Sequence, residues 1–217
     1  MLEAIGIGRR VADRRLFSDI SLSIRTGQRW ALIGPSGSGK TVLLRALAML
    51  DAIDAGEIRW RGNIVPGNEV PRFRSQVMFL PQRSALPEGT VEDILRQPFS
   101  LGVHQGRRFH RRRIVGWLES LGRSAAFLTK RGSDLSGGEA QLTALLRAIQ
   151  LDPHILLLDE PTAALDSEMT ERVEALVADW FGEPNEARAT CWVTHDRQQI
   201  ERVSTSLFPI RDGVLSH

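Results

Sequence analysis

The sequence predicts an α/β fold in which a mainly parallel sheet carries helices on its faces. Three observations support this fold class. Apolar runs typical of buried strands alternate with helical patterns along the 217 residues. The glycine-rich segment "GPSGSGKT", residues 34–41, lies between one such strand and one such helix. The run "ILLLDE" at residues 155–160 is typical of a strand buried on both faces, and it ends in two carboxylates.

The first half of the chain predicts an N-terminal antiparallel β part joined to the parallel core. Residues 19–24 alternate apolar and polar positions, as a half-buried strand does, and residues 29–34 form an apolar run. Residues 41–50 have a helical pattern that begins directly at the glycine loop. Residues 56–63 are typical of an exposed hairpin, and residues 75–82 predict another strand that stops near Pro81.

The second half begins with a helical stretch. From about residue 83 to 136 helical patterns replace the alternation, with Thr90 as a good N-cap, so we predict a helical subdomain inserted into one domain of residues 1–217. The later elements are a helix with one apolar face at residues 135–150 and a buried strand at residues 154–160. A second amphipathic helix at 169–180, a last core strand at 189–196 and a closing hairpin at 207–217 follow.

Composition and charge exclude several classes of protein. No apolar run approaches the ~20 residues that a membrane span needs, and the N-terminus lacks the pattern of a signal peptide. The single Cys191 excludes an internal disulfide and suits a reducing compartment. The net charge of +2 favours no particular partner, although residues 106–113, "GRRFHRRR", form a local basic block. That block is either the solvated face of a helix or a contact for anionic lipid or a partner's loops.

The glycine loop predicts a phosphate-binding site. It fits the pattern G-x-x-x-x-G-K-[ST], in which small residues let backbone N–H groups approach a phosphate closely at a helix N-terminus. The Lys40 ammonium then reaches the outer phosphates, and the Thr41 hydroxyl binds Mg²⁺. The predicted nucleotide-binding residues are Gly34, Pro35, Ser36, Gly37, Ser38, Gly39, Lys40 and Thr41.

Two acids at the end of the buried strand complete the predicted site. Ligands of open α/β sheets bind at the carboxyl ends of the strands, where residues 155–160 place Asp159 and Glu160. We expect Asp159 to hold Mg²⁺ and Glu160 to act as the base for the attacking water. The alternative is that the two acids only end a strand.

Five motifs in order resemble those of ATP-binding-cassette ATPases. "LSGGEAQ" at residues 135–141 is similar to the family's signature motif, and the loop at residues 34–41 to its Walker A motif. Gln82 resembles the Q-loop glutamine, "ALD" at residues 164–166 resembles the D-loop, and "THD" at residues 194–196 resembles the switch-histidine motif. The motifs span most of the chain. Some segments of the sequence are also faintly similar to those of small ATPases that work with iron-export permeases.

The resemblance implies a mechanism and partners. ATP would join two copies of the chain, with the signature of one copy binding the γ-phosphate held by the other. His195 would hold the γ-phosphate beside Glu160, Gln82 would sense metal and water, and Asp166 would couple the two sites. The signature residues are Leu135, Ser136, Gly137, Gly138 and Glu139, and the implied metal ligands are Thr41, Gln82 and Asp159. ATP and Mg²⁺ are the implied cofactors.

Two positions depart from the family's pattern. Val11 stands where relatives usually have an aromatic residue that stacks on adenine, and the chain has no tyrosine. Arg10 or Phe17 could take that role, and adenine selection is in doubt. Leu142 stands where many relatives have an arginine after the signature glutamine, which should not abolish catalysis.

The leading hypothesis is a transporter's ATPase subunit. The chain stops soon after its last core strand, so we expect neither a regulatory domain nor a membrane span. Such a subunit would be cytoplasmic, would lie peripherally on the inner face of the cell membrane, and would need a separate membrane permease and no nucleic acid. The alternatives are a soluble mechanical ATPase acting on nucleic acid or ribosomes, and a nucleotide-gated binding module without turnover. The sequence names neither the cargo nor the direction of transport.

Overall fold

The computed structural model describes residues 1–12, 14–183 and 187–215. Its strands are β1 (Leu2–Val11), β2 (Arg14–Ile24), β3 (Arg29–Ile33), β4 (Ala55–Trp60), β5 (Asn63–Ile64), β6 (Val77–Leu80), β7 (Ile155–Asp159), β8 (Ala189–Val193), β9 (Ser206–Arg211) and β10 (Val214–Leu215). Its α-helices are α1 (Lys40–Leu47), α2 (Val70–Arg74), α3 (Val91–Arg96), α4 (Arg111–Ser120), α5 (Gly137–Ile149), α6 (Ser167–Gly182) and α7 (Arg197–Val203).

The chain folds into two compact units. The first unit comprises Met1–Phe79, His154–Glu160 and Glu186–His217, and the second comprises Leu80–Pro153 and Pro161–Asn185. The helical insertion predicted at about residues 83–136 lies within the second unit. The division of residues 1–217 into one domain with an inserted helical subdomain stays a prediction.

Two sheets form the first unit. An antiparallel sheet has the order β2-β1-β4-β5, and a six-stranded sheet has the order β10-β9-β3-β8-β7-β6. In the six-stranded sheet β3 pairs in parallel with β8 and β9, and β7 pairs in parallel with β8. The predicted antiparallel part and parallel core are both confirmed. The parallel pairing brings the carboxyl ends of β3, β7 and β8 to the same edge.

The core of the first unit is made by strands that are buried on both faces. All five residues of β7 and all five of β8 are buried, which explains their continuous apolar sequence. Helix α1 packs Leu43 and Leu44 into the same core, and both are fully buried. Cys191 on β8 is fully buried as well, and burial raises the pKa of its thiol to about 12. A neutral, buried thiol is chemically inert.

The second unit is helical. It contains α3, α4, α5 and α6 with short 3₁₀ turns between them. Thr90 caps α3 as predicted, because its hydroxyl accepts the Asp93 N–H and the Asp93 carboxylate accepts the Thr90 N–H. The apolar face predicted at residues 142–149 is confirmed, and Leu142 itself is 1% exposed. The position that departs from the family's pattern therefore lies in the core of this unit.

Three arginines of the basic block hold the second unit together. Arg113 forms salt bridges of 3.0 Å with both Asp152 and Glu183. Arg111 pairs with Glu92 at 3.2 Å, and the Arg107 guanidinium donates to the Leu151 carbonyl just after α5. These contacts favour the structural interpretation of the block over a contact for lipid.

Several element bounds differ from those predicted. Helix α1 ends at Leu47 rather than residue 50, because Met49 has a left-handed φ of 54° that turns the chain out of the helix. Strand β6 begins two residues later than predicted, after the turn that follows α2. The closing hairpin is confirmed as β9 and β10, except for Ser216 and His217, which lie outside the described residues. No helix in the described part of the chain has the length and apolarity that crossing a membrane requires.

Candidate functional site

The glycine loop connects β3 to α1 in the first unit. Gly39 is the N-cap of α1 with φ 96°, and no side chain caps the helix, so the N–H groups of its first turn can bind an anion. A Cβ atom on Gly39 would lie 2.9 Å from the Leu16 carbonyl oxygen, and one on Gly34 would collide with the Ile210 carbonyl. Both glycines are therefore required by close packing of backbone against backbone.

The Lys40 ammonium lies inside this loop. Its Nζ donates hydrogen bonds of 2.9 Å to the carbonyl oxygens of Gly34 and Pro35. The residue is 6% exposed. Burial lowers the pKa of Lys40, while the charges of Glu160 and Asp159 act in the opposite direction. The loop thus holds a positive charge, with carboxylates close enough to interact with it.

Asp159 ends β7 and accepts a hydrogen bond from the Thr41 hydroxyl. Burial raises the pKa of this carboxyl, and the Thr41 hydrogen bond opposes that rise. A hydroxyl and a carboxylate are hard oxygen donors that fit Mg²⁺, which usually takes one or two protein ligands together with phosphate oxygens. Among the residues that the structure describes, no three His, Cys, Asp or Glu gather as a metal cluster. The donor set therefore fits a metal that is shared with a phosphate ligand.

Glu160 and His195 meet at the carboxyl ends of β7 and β8. The His195 Nε2 lies 2.9 Å from Glu160 Oε1, and the Glu160 N–H donates to the Val193 carbonyl at 3.0 Å. The Glu160 backbone has a left-handed φ of 47°. A non-glycine residue in this conformation stores strain, which is common at functional sites. The two side chains form an acid–imidazole pair, and both are partly exposed to solvent.

The predicted signature begins α5 in the second unit. Ser136 is the N-cap: its hydroxyl accepts the Glu139 N–H at 3.2 Å, and the Glu139 carboxylate accepts the Ser136 N–H at 3.1 Å. Leu135 precedes this capping box, and Gly137 and Gly138 form the first turn. The box fixes the start of α5, where N–H groups and the helix dipole favour an anion.

Two cations hold Glu139 in the capping box. Lys130 Nζ lies 2.7 Å from Glu139 Oε1, and an Arg123 guanidinium nitrogen lies 3.9 Å from the same atom. The hydrogen bond from Lys130 is the main cause of the lowered pKa of Glu139. The sequence analysis did not single out Lys130, because its contact with Glu139 depends on the fold of the second unit. Lys130 and Lys40 are the two lysines among the 28 basic residues.

Gln141 connects α5 to the segment around Gln82. Its side-chain amide donates to the Pro81 carbonyl at 3.0 Å, and its Oε1 accepts from the Ser84 hydroxyl at 3.3 Å. Gln141 is 4% exposed. The signature pattern includes this anchoring residue but assigns it no role, because its contacts depend on the fold of the second unit.

Asp166 is the N-cap of α6, and its carboxylate accepts the Met169 N–H at 2.8 Å. The turn before it packs against the start of α5. A Cβ atom on Gly138 would lie 2.9 Å from Leu165 Cδ2 and 3.1 Å from the Ala164 carbonyl oxygen. The second signature glycine therefore lets the residues before Asp166 approach α5.

We expect Gly138→Ala to be less stable than Gly137→Ala by about 1–3 kcal/mol, because the added methyl at residue 138 presses on the turn at Ala164. Gly137→Ala is the matched control, since a Cβ there has open space and alanine favours a helix more than glycine does. Urea midpoints of both variants, followed by circular dichroism, measure the difference. Equal midpoints would contradict the packing role of Gly138.

The structure places the predicted site residues in two groups. In the first unit, the loop at residues 34–41 lies near Asp159 and Glu160, and Glu160 contacts His195. Residues 135–139, Asp166 and Gln82 belong to the second unit. Their roles stay predictions.

The structure corrects one suggestion about the missing adenine platform. Phe17 is 0% exposed and packs in the core of the first unit, so its ring cannot stack on a base. Val11 is 52% exposed at the end of β1. Arg10 is also exposed, and its N–H donates to Asp54 at 2.6 Å.

Comparison with known sequences identifies similar proteins. A family model described as "ABC transporter" matches residues 17–163. The chain is 32% identical over 200 residues to "Probable iron export ATP-binding protein FetA" of Escherichia coli K12, covering 92% of this chain and 87% of that protein. It is 34% identical over 218 residues to "Fe(3+) ions import ATP-binding protein FbpC" of Serratia marcescens, covering 99% of this chain. The chain spans 61% of that relative's length.

Solved structures share the fold along the whole chain. "Dimeric Structure of MJ0796, a Bacterial ABC Transporter Cassette" has a TM-score of 0.84 at 25% identity, covering 100% of this chain and 97% of that one. A second solved structure is described as "a post-hydrolysis state of the ATP-binding cassette MJ0796 bound to ADP and Pi". It has a TM-score of 0.87 at 24% identity and covers 100% of this chain and 97% of that one. At this identity it supports the fold alone.

Proposed function

Because this chain belongs to the ABC transporter family of ATP-binding proteins, we propose that it is an ATPase subunit that powers transport through a separate membrane permease. The family predicted from the motifs is confirmed, and a probable iron export ATP-binding protein is among the similar proteins. The observation that carries the proposal is the Glu160–His195 pair, 2.9 Å apart, at the sheet edge that also holds the phosphate loop.

The first step is binding of ATP. The N–H groups of the loop and of the first turn of α1 receive the phosphates, and the Lys40 ammonium exchanges its two carbonyl acceptors for phosphate oxygens. Thr41 and Asp159 are the proposed Mg²⁺ ligands in the first unit. Bound Mg²⁺ would neutralise charge on the outer phosphate oxygens.

The second step is hydrolysis. Glu160 takes a proton from water as the water oxygen attacks the γ-phosphorus and the bond to the β–γ bridging oxygen breaks. ADP leaves with the electron pair of that bond, and phosphate forms. His195, which contacts Glu160, would orient the carboxylate and hold the γ-phosphate.

A second copy of the chain completes the proposed site. The start of α5, with Ser136, Gly137 and Gly138, offers N–H and hydroxyl donors to the γ-phosphate bound by the other copy. Lys130 and Gln141 would hold this donor set in place, and Asp166 would link the two sites. A structural neighbour described as a dimeric ABC transporter cassette supports association of two copies.

The proposed partner is a permease, and the proposed location is the cytoplasmic face of the membrane. The names of the relatives include both iron import and iron export, so they support iron as the first cargo to test without giving its direction. No observation favours a soluble ATPase acting on nucleic acid.

Co-purification from detergent-solubilised membranes tests this proposal. We expect the tagged chain to retain an integral membrane protein and no nucleic acid, and we expect ATP hydrolysis by the complex to change when its cargo is added. An unrelated tagged P-loop protein from the same membranes is the control. Recovery of ribosomes or nucleic acid without a membrane protein would contradict transport.

A further inference from the structure

An open cavity of about 260 Å³ lies beside the phosphate loop in the first unit. One wall is the start of β2, with Arg14, Arg15 and Leu16. The opposite wall is the first half of the loop, including Ser38, and Asp212 lies in the turn between β9 and β10. Because residues of the loop line this cavity themselves, a nucleotide with its phosphates in the loop can reach the arginine wall with its sugar and base.

Backbone packing fixes the cavity against the loop. The Leu16 carbonyl is so close to Gly39 and to Gly213 that a Cβ atom on either glycine would press on it. The Ser18 N–H donates to the Gly213 carbonyl at 2.9 Å. The start of β2 is thereby held between the beginning of α1 and the last hairpin, so the cavity walls are ordered by main-chain contacts.

The arginine wall carries charge that the described part of the chain does not neutralise. Arg14 and Arg15 are both exposed, and neither forms a salt bridge with any residue in the described ranges. Arg9, by contrast, pairs with Asp54 at 3.3 Å. Arginines that line a cavity can bind a ligand there without first breaking an ion pair.

Ser38 is a second, independent sign of a ligand. The residue is 6% exposed, and its hydroxyl has no hydrogen-bond partner among the described residues. A buried hydroxyl without a partner is destabilising, and a ligand in the cavity would satisfy it.

Among the described residues that line the cavity, none has an aromatic ring. Planar cations can replace a ring, because guanidinium groups stack on aromatic faces. Such stacking depends on the π face, which adenine and guanine share, and makes no hydrogen bond to the base edges that distinguish them.

We propose that Arg14 and Arg15 hold the sugar and base of the nucleotide in this cavity, with Ser38 donating to the sugar, and that the site therefore accepts both purine triphosphates. This inference rests on the proposed function, because it assumes that the loop binds the phosphates. It assigns to Arg14 and Arg15 the role that the aromatic residue has in other members of the family.

Titration of the purified chain with ATP, GTP and inorganic tripolyphosphate tests the proposal. For the wild type we expect the Kd values of ATP and GTP to lie within about tenfold of each other. In the double variant Arg14→Ala/Arg15→Ala both nucleotides should bind about tenfold or more weakly, since base stacking is worth about 1–3 kcal/mol. Tripolyphosphate, which has no base or sugar, should change by less than about threefold.

Two further variants sharpen the test. Arg25→Ala removes an exposed arginine just after β2 that does not line the cavity, and it should leave all three Kd values unchanged. Arg14→Lys/Arg15→Lys keeps the charge but loses the planar group, and it should not restore nucleotide affinity.

Three results would overturn the proposal. They are unchanged nucleotide affinity in the double alanine variant, an equal loss of tripolyphosphate affinity, and full rescue by the two lysines. The first means that the arginines do not contact the nucleotide, and the other two mean that they act only as charges. A wild type that binds neither ATP nor tripolyphosphate would instead overturn the proposed function itself.

Discussion

Glu160→Gln is expected to keep ATP bound and to lower the rate of hydrolysis by at least about 100-fold. The amide preserves the shape of the side chain but cannot accept the proton of the attacking water, and general-base catalysis contributes roughly 10²–10⁴-fold. Phosphate release at saturating ATP and Mg²⁺ measures the loss, and nucleotide binding measured by filtration confirms that the site is intact.

The same variant tests the proposed dimer. With hydrolysis blocked, ATP should accumulate between two copies, so the variant should elute as a dimer from a sizing column with ATP and as a monomer without it. Glu69→Gln is the matched control, because it makes the same chemical change at an exposed turn of the first unit. A variant that hydrolyses ATP at the wild-type rate would exclude Glu160 as the base.

Lys40→Ala is expected to weaken ATP binding by at least about 30-fold. Removing one partner of a desolvated charge contact costs about 2–5 kcal/mol, and Lys40 is the loop's only side-chain cation. Isothermal titration with ATP measures the effect, and the circular dichroism spectrum shows whether the fold survives the loss of the two bonds to Gly34 and Pro35.

Arg72→Ala is the control for this prediction, since it removes an exposed positive charge from the same unit. It should bind ATP as the wild type does. Affinity close to wild type in Lys40→Ala would mean that the loop does not bind the outer phosphates.

The fold was predicted best where burial dominates the sequence pattern. Strands β7 and β8 are buried at every residue, so their apolar runs are continuous. Helix α5 was recognised because its apolar positions repeat with the helical period. Strand β1 was missed as an element: it contains two glycines, and its pairing with β2 shifts register several times, which breaks the alternation of apolar and polar residues. Helix α7, "RQQIERV", is short and mostly polar, so no periodic signal stands out.

The candidate site was predictable where one short segment contains both the reactive side chains and the strand and helix that position them. The loop at residues 34–41 needs only a strand before it and a helix after it, and both are present. The contacts of Lys130, Gln141 and the Arg14–Arg15 wall were not predictable, because each joins residues that the fold brings together from different segments.

Because the chain has only two lysines, NMR spectroscopy can observe both candidate sites without mutation. Reductive methylation with ¹³C-formaldehyde labels side-chain amines, and here the only labelled side chains are Lys40 and Lys130. One lies buried in the phosphate loop of the first unit, and the other pairs with Glu139 in the second at 2.7 Å. A two-dimensional NMR spectrum of the labelled protein would thus contain one lysine signal that tests the proposed nucleotide binding by the loop and another that tests the proposed contact of the α5 start with a second copy.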